Sequence, residues 1–237
     1  MMTRDFEDTD TERNQNPIMH LTEALLALSE LSGDKKSLER ACDLVDFLFA
    51  PSLDRQDKAL PEFYYLNWQP LPCEKNPGAN VVGNASMGHQ LEWAYLISWA
   101  VESGFQDSYL KYAQFVLKAG LEFGYDNEYG GLLKKSELEG KTYEVKGWWN
   151  HTETIRTLLH FVMRHDRYDL LPRLKQTVEF FQDYLHDSEY GGIFPTVSRD
   201  GKRVLKDEKG SLGKLDYHTV AMIREILHLQ SAGKDLY

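Results

Sequence analysis

The chain has 237 residues, 42% of them hydrophobic, with 27 Lys+Arg against 37 Asp+Glu and a formal net charge of -10 at pH 7. That length supports a sizeable core in one large domain or two small ones. The acidic balance excludes nucleic acid and anionic membrane as main partners, because both call for an excess of positive charge.

No run approaches the ~18 apolar residues of a membrane span, and the opening stretch Met1–Asn16 is polar and acidic with no apolar signal-type core. Cys42 and Cys73 form neither a disulfide framework nor a zinc site. These features predict a cytoplasmic globular protein with a polar segment over 1–15 and a single domain over 16–237.

Apolar residues recur at helical spacing in seven segments. The first runs over about Pro17–Leu31, with Asn16 as the expected N-cap, Pro17 at the first helical position and Gly33 as the stop. The second spans about Ser37–Phe49, and a polar, aromatic stretch rich in Pro, Asn and Gly follows from Ala50 to Gly88. Helices are then predicted at about His89–Ser103, Gln106–Phe123, Trp149–Arg164, Leu170–His186 and Tyr217–Gln230.

Between these helices one hexapeptide recurs. Asp126-Asn127-Glu128-Tyr129-Gly130-Gly131 returns as Asp187-Ser188-Glu189-Tyr190-Gly191-Gly192, 61 residues on. The Gly-Gly pair supplies the backbone freedom of a tight turn, so a short hairpin or structured loop is expected at each place. Helix pairs separated by such turns pack side by side into a toroid or solenoid. The fold class read here is all-α and (α/α)6-toroid type, a partial barrel of about seven helices with short β-hairpins between helix pairs.

The odd-numbered helices open with groups that a core does not request. The first carries Asn16, Met19, His20 and Glu23; the third His89, Gln90, Glu92 and Trp93; the fifth Trp148, Trp149, Asn150, His151 and Glu153; the seventh Tyr217 and His218. The histidines lie 69, 62 and 67 residues apart. If the odd helices line an inner ring, their starts converge on one mouth. Helix starts offer unpaired N–H groups to an oxyanion, tryptophan faces stack on pyranose rings, and imidazole moves protons near neutral pH.

Each element also has a plainer role, as a cap, a first-turn acid or core packing. It is the recurrence over four helix starts that points to a site. His89-x-x-Glu92 lacks the second histidine one turn on that a zinc helix uses, and no Gly-x-Ser-x-Gly occurs, so neither metal nor serine chemistry is expected. Two-carboxylate glycoside hydrolysis stays open, with Glu92 and Glu153 as its acids.

Four stretches resemble a known family. Asn16-Pro17-Ile18-Met19-His20-Leu21-Thr22-Glu23-Ala24, Gly88-His89-Gln90-Leu91-Glu92-Trp93-Ala94, Trp148-Trp149-Asn150-His151-Thr152-Glu153 and Lys214-Leu215-Asp216-Tyr217-His218 occur in that order. They are similar to the motifs of the N-acylglucosamine 2-epimerase family, which includes mannose isomerases, sulfoquinovose-type isomerases and cellobiose 2-epimerases. The resemblance covers the chain from about Arg13 onward. It implies an (α/α)6 barrel acting on a free reducing sugar with no metal and no redox cofactor.

By the same resemblance, His218 and His89 are the catalytic histidines that exchange protons around C1 and C2, and Glu92 holds a hydroxyl or tunes the His89 imidazole. Asn16 and His20 bind the sugar, Glu153 holds a hydroxyl or orients a histidine, and Trp148 or Trp149 forms the aromatic wall. Two departures stand out. Asn150-His151 follows the tryptophans where relatives often carry Pro or Val and then Gln. Seven helices are also fewer than the family's barrel has, and the stretch that carries a sugar-facing arginine in relatives has no counterpart, Arg13 being beside the first motif instead.

Three resolutions follow: a fragment or split gene product, which is the leading expectation; closure of the open edges by a second chain or a second copy; or a shortened, inactive descendant. The expected activity is metal-independent isomerisation or 2-epimerisation of a small sugar. The rival readings are a non-catalytic carbohydrate-binding protein of this family and an (α/α)6 glycoside hydrolase.

Overall fold

A computed structural model describes residues 12–72, 84–138, 141–206, 208–211 and 214–231. Cys73 and residues 1–11 of the expected polar segment lie outside them. The chain divides into two compact units, 1–119 and 120–237. No helix among the described residues is long and apolar enough to cross a membrane.

The first unit opens with strand β1 (Glu12–Asn14), then helices α1 (Asn16–Ser32) and α2 (Lys35–Asp54), strand β2 (Phe63–Tyr65) and helix α3 (Met87–Glu102). Helix α4 (Leu110–Phe123) follows a 3-10 turn at Asp107–Tyr109. Gly33 ends α1 with φ 70°, its N–H returning to the Ser29 carbonyl, as the sequence predicts. The N-terminal expectation is corrected by one residue. Gln15 occupies the cap position, Asn16 is the first helical residue, and the Gln15 carbonyl accepts from the N–H groups of Ile18 and Met19.

Helix α3 is buried on all sides from Met87 to Ala100 except at half-buried His89. A helix enclosed this way is a core helix. Phe49 of α2 meets Trp93 edge-on, with ring centroids 5.3 Å apart.

The second unit contains strands β3 (Lys134–Leu138) and β4 (Lys141–Gly147), helices α5 (Trp148–His165) and α6 (Leu171–Phe180), strands β5 (Thr196–Ser198) and β6 (Val204–Lys206), and helix α7 (Tyr217–Ser231). The predicted 170–186 helix is realised as a 3-10 turn, α6 and a terminal π turn at Phe181–Leu185. The four strands form one antiparallel sheet in chain order, Lys134 facing Val145 and Val145 facing Ser198. Helix α5 is the counterpart of α3: it is buried from Trp148 to Met163 except at half-buried Trp149.

Both hexapeptides form the same closed turn. The Asp126 N–H donates to the Gly131 carbonyl and Gly130 donates back to Asp126, and Asp187 with Gly192 and Gly191 repeats the arrangement. Bridges Tyr125–Leu132 and His186–Ile193 seal the two turns.

Candidate functional site

In the first unit the pairing of β1 with β2 sets Gln15, just before α1, against Glu62, just before β2. The Gln15 N–H donates to the Glu62 carbonyl at 3.1 Å and its side-chain amide to the Glu62 carboxylate at 2.8 Å. The Trp93 indole N–H donates to the Gln15 side-chain oxygen at 2.6 Å, which fixes that amide's orientation. The oriented carboxylate accepts from Nδ1 of His89 at 2.8 Å. On the opposite edge of the ring, Nε2 lies 3.4 Å from the Asn16 amide nitrogen.

Glu62 is therefore the carboxylate on Nδ1 of His89, a residue the sequence reading does not single out. Glu62 was missed because it lies in the aperiodic Ala50–Gly88 stretch; its one sequence signal is an acid directly before the aromatic run Phe63-Tyr64-Tyr65.

Glu92 lies one helical turn beyond His89, fully buried, with a carboxylate oxygen 3.9 Å from Nδ1 of His20. His20 Nδ1 is 3.7 Å from the Glu23 carboxylate. These three side chains offer ligand atoms within 4.8 Å of one another. The set could hold a cation, and equally the hydroxyls of a polyol.

In the second unit His218, near the start of α7, donates from Nδ1 to the fully buried Glu153 carboxylate at 2.8 Å. Arg156 lies 3.4 Å from the other oxygen of that carboxylate. The His218 ring stacks on Trp149 (centroids 5.3 Å, 30°) and meets Trp148 edge-on at 5.5 Å. Trp149 is the half-buried member of the pair and Trp148 the buried one, with the Lys214 ammonium 4.8 Å over its ring. Of the two predicted wall residues, Trp149 is thus the one that faces outward.

His151, the helix-start imidazole of α5, does not join this group. At about 100° per residue it sits some 200° around the helix from Glu153. It is buried, stacked on Phe180 (5.2 Å, 27°), and its Nδ1–H donates to the Gly147 carbonyl at 2.9 Å. Burial pushes its pKa down to about 3, so it is a neutral structural imidazole.

The two units share one device. A buried carboxylate grips Nδ1 of an imidazole at the start of a helix, and the imidazole side chains keep 13% and 18% exposure against 6% and 0% for their glutamates. A carboxylate on Nδ1 fixes the tautomer that leaves Nε2 to exchange a proton.

The fold is that of the sugar epimerases and isomerases built as α/α toroids, as the sequence predicts. A crystal structure of D-mannose isomerase superposes with a TM-score of 0.82 at 21% identity, over 96% of this chain and 59% of that one. Cellobiose 2-epimerase from Bacillus thermoamylovorans gives 0.79 at 20%, over 96% and 58%. The chain belongs to the N-acylglucosamine 2-epimerase family, whose model matches residues 1–222. Among curated relatives, D-mannose isomerase of Marinomonas mediterranea is 24% identical over 95% of this chain and 58% of its own length. The chain thus spans less than two thirds of the relatives it matches.

Proposed function

We propose that the chain carries the proton-transfer machinery of a sugar isomerase or 2-epimerase acting on a free reducing sugar of the mannose, N-acylglucosamine or cellobiose class. The observation that carries this reading is the pair of carboxylate-held imidazoles, Glu62–His89 and Glu153–His218, each at the start of a helix otherwise equipped with polar or aromatic ligands.

In this reading His218 removes the C2 proton of the open-chain aldose through Nε2 while Glu153 stabilises the imidazolium that forms. The electrons flow onto O1 and give a cis-enediolate, whose oxyanion is favoured by helix-start N–H groups and imidazolium. Passage of the O2 proton to O1 with return of the proton at C1 gives the ketose; donation of a proton held by His89 to the other face of C2 gives the epimer, His218 keeping the one it removed. Asn16, His20 and Glu92 hold hydroxyls, and Trp149 over Trp148 supports the pyranose face.

Exposed apolar side chains on α1 (Leu21, Leu28, Leu31) and on α7 (Val220, Ile223, Leu227) support a further polypeptide, a second chain or a second copy, against each of these helices.

The test is incubation with mannose, glucose, N-acetylmannosamine and cellobiose in deuterated water, followed by NMR. One of these sugars is expected to exchange its C2 hydrogen, and His218→Ala to slow that exchange by about 100-fold or more. Saturable binding without exchange would replace the proposal with a carbohydrate-binding role, and release of new reducing ends with a hydrolase.

A further inference from the structure

Helix α5 is a core helix, yet the face it turns to α7 is polar. Below Glu153–His218, buried His160 donates from Nδ1 to the buried Glu225 carboxylate at 2.8 Å, and the Arg164 guanidinium meets Nε2 of His228 at 2.8 Å. Partners in the three pairs are 65, 65 and 64 residues apart, so the two helices run in the same direction in one fixed register.

The upper two pairs are crossed. Glutamate lies on α5 and histidine on α7 in the first, and the reverse holds seven residues, or about two turns, further on. A slip by that repeat would set Glu153 against Glu225, or His160 against His218, juxtaposing like groups. Helices joined only by apolar contacts can slide with little penalty, whereas a buried polar pair fixes register.

We infer that His160 and Glu225 are positioning residues. Their pair locks α7 on α5 in the register that brings His218 onto Glu153 and against Trp149. The effect on turnover rests on the proposed sugar chemistry; the effect on the His218 ring does not, and it is measured separately.

The experiment uses the full chain, with NMR of the hydrogen-bonded Nδ1 proton of His218 and of its ring protons, shifted by Trp149. Three variants are compared: Glu225→Gln, which keeps an acceptor for His160; Glu225→Met, of similar shape without a carbonyl or carboxylate oxygen; and His160→Leu/Glu225→Leu, which removes both members of the pair. The Gln variant is expected to keep the wild-type signals. Loss of the Nδ1 proton signal and of the Trp149 shift is expected in the Met and Leu variants while circular dichroism still reports a folded chain. Wild-type His218 signals in a folded Met or Leu variant would overturn the inference. Should the Leu pair fail to fold, Gln against Met decides it alone. A protein that shows no sugar exchange but the predicted loss of signals would refute the function and leave the register lock standing.

Discussion

The two hexapeptide turns of the second unit have nearly the same sequence and the same backbone, and very different supports. In each, the aspartate carboxylate accepts from the N–H groups two and three residues on, and a lysine from elsewhere reaches that carboxylate and a glycine carbonyl. For Asp187 the lysine is half-buried Lys209. For Asp126 it is Lys146, fully buried, with its ammonium 4.0 Å from the Phe180 ring centre, and Arg199 adds a bidentate grip at 2.9 and 3.0 Å. Burial works against the Asp126 carboxylate, but Arg199 and Lys146 hold its pKa at about 2; burial brings Lys146 down to about 8. The same local chemistry thus yields a surface turn at one place and a buried lock at the other. The buried lock is the one whose lysine immediately precedes Gly147, the cap of the helix that carries Trp149 and Glu153.

The largest contrast is expected between the two lysines. Lys146→Met leaves Asp126 buried with one of its cations gone, at a cost of about 3 kcal/mol. Lys209→Met removes a partly solvated pair, worth about 1 kcal/mol or less. Urea unfolding of both variants measures the difference, and equal losses would show that burial does not distinguish the turns. The Lys146 variant should also broaden the Trp149 indole signal, because the start of α5 loses its anchor.

How far these features were legible in the sequence follows from what repeats. The hexapeptide's recurrence announced both turns, and the helical periodicity placed all seven helices within a few residues. His20, His89 and His218 were marked by their place at helix starts, and the structure gives the last two their carboxylates. Burial and rotation about a helix axis were not legible. His151 shares its sequence neighbourhood with Glu153 yet points to the opposite side. Glu62 reaches His89 through the β1–β2 pairing and through Asn84, whose backbone and side-chain oxygens accept from the Glu62 N–H, contacts between segments with no periodic signal. Lys146 reads as a surface lysine of a charged strand until the turn folds over it.

A second contrast separates two glycines of nearly equal φ, the sixth residue of the first turn and the fifth of the second. Gly131 has φ +72°, and a Cβ there would stand 2.0 Å from Nε2 of His151; Gly191 has φ +73° with nothing within 4 Å. Alanine at 191 pays only for the left-handed backbone, about 1 kcal/mol, whereas alanine at 131 must also displace a packed imidazole, for about 3 kcal/mol in all. Thermal unfolding of the two variants tests this, and adding His151→Ala should recover part of the loss at 131 alone.

The turns are also separated by pH. His151, which backs the first turn, titrates at about 3 in the folded protein because it is buried, against ~6.5 when unfolded. Between those values the unfolded chain binds the extra proton, so this contribution to stability is complete above pH ~6.5 and declines as pH falls toward 3, by at most about 1.4 kcal/mol per unit. The carboxylates of Asp126 and Asp187, both held at about 2, stay ionised through most of that window and weaken the turns only below pH ~4. Acid should therefore open the first turn before the second, despite its stronger lock. Amide hydrogen exchange at Asp126 and Asp187, whose N–H groups close the two turns, reports each one separately. His151→Leu should flatten the dependence of unfolding on pH between 6.5 and 4.5, and a slope equal to that of the unsubstituted protein would assign the acid sensitivity to other groups.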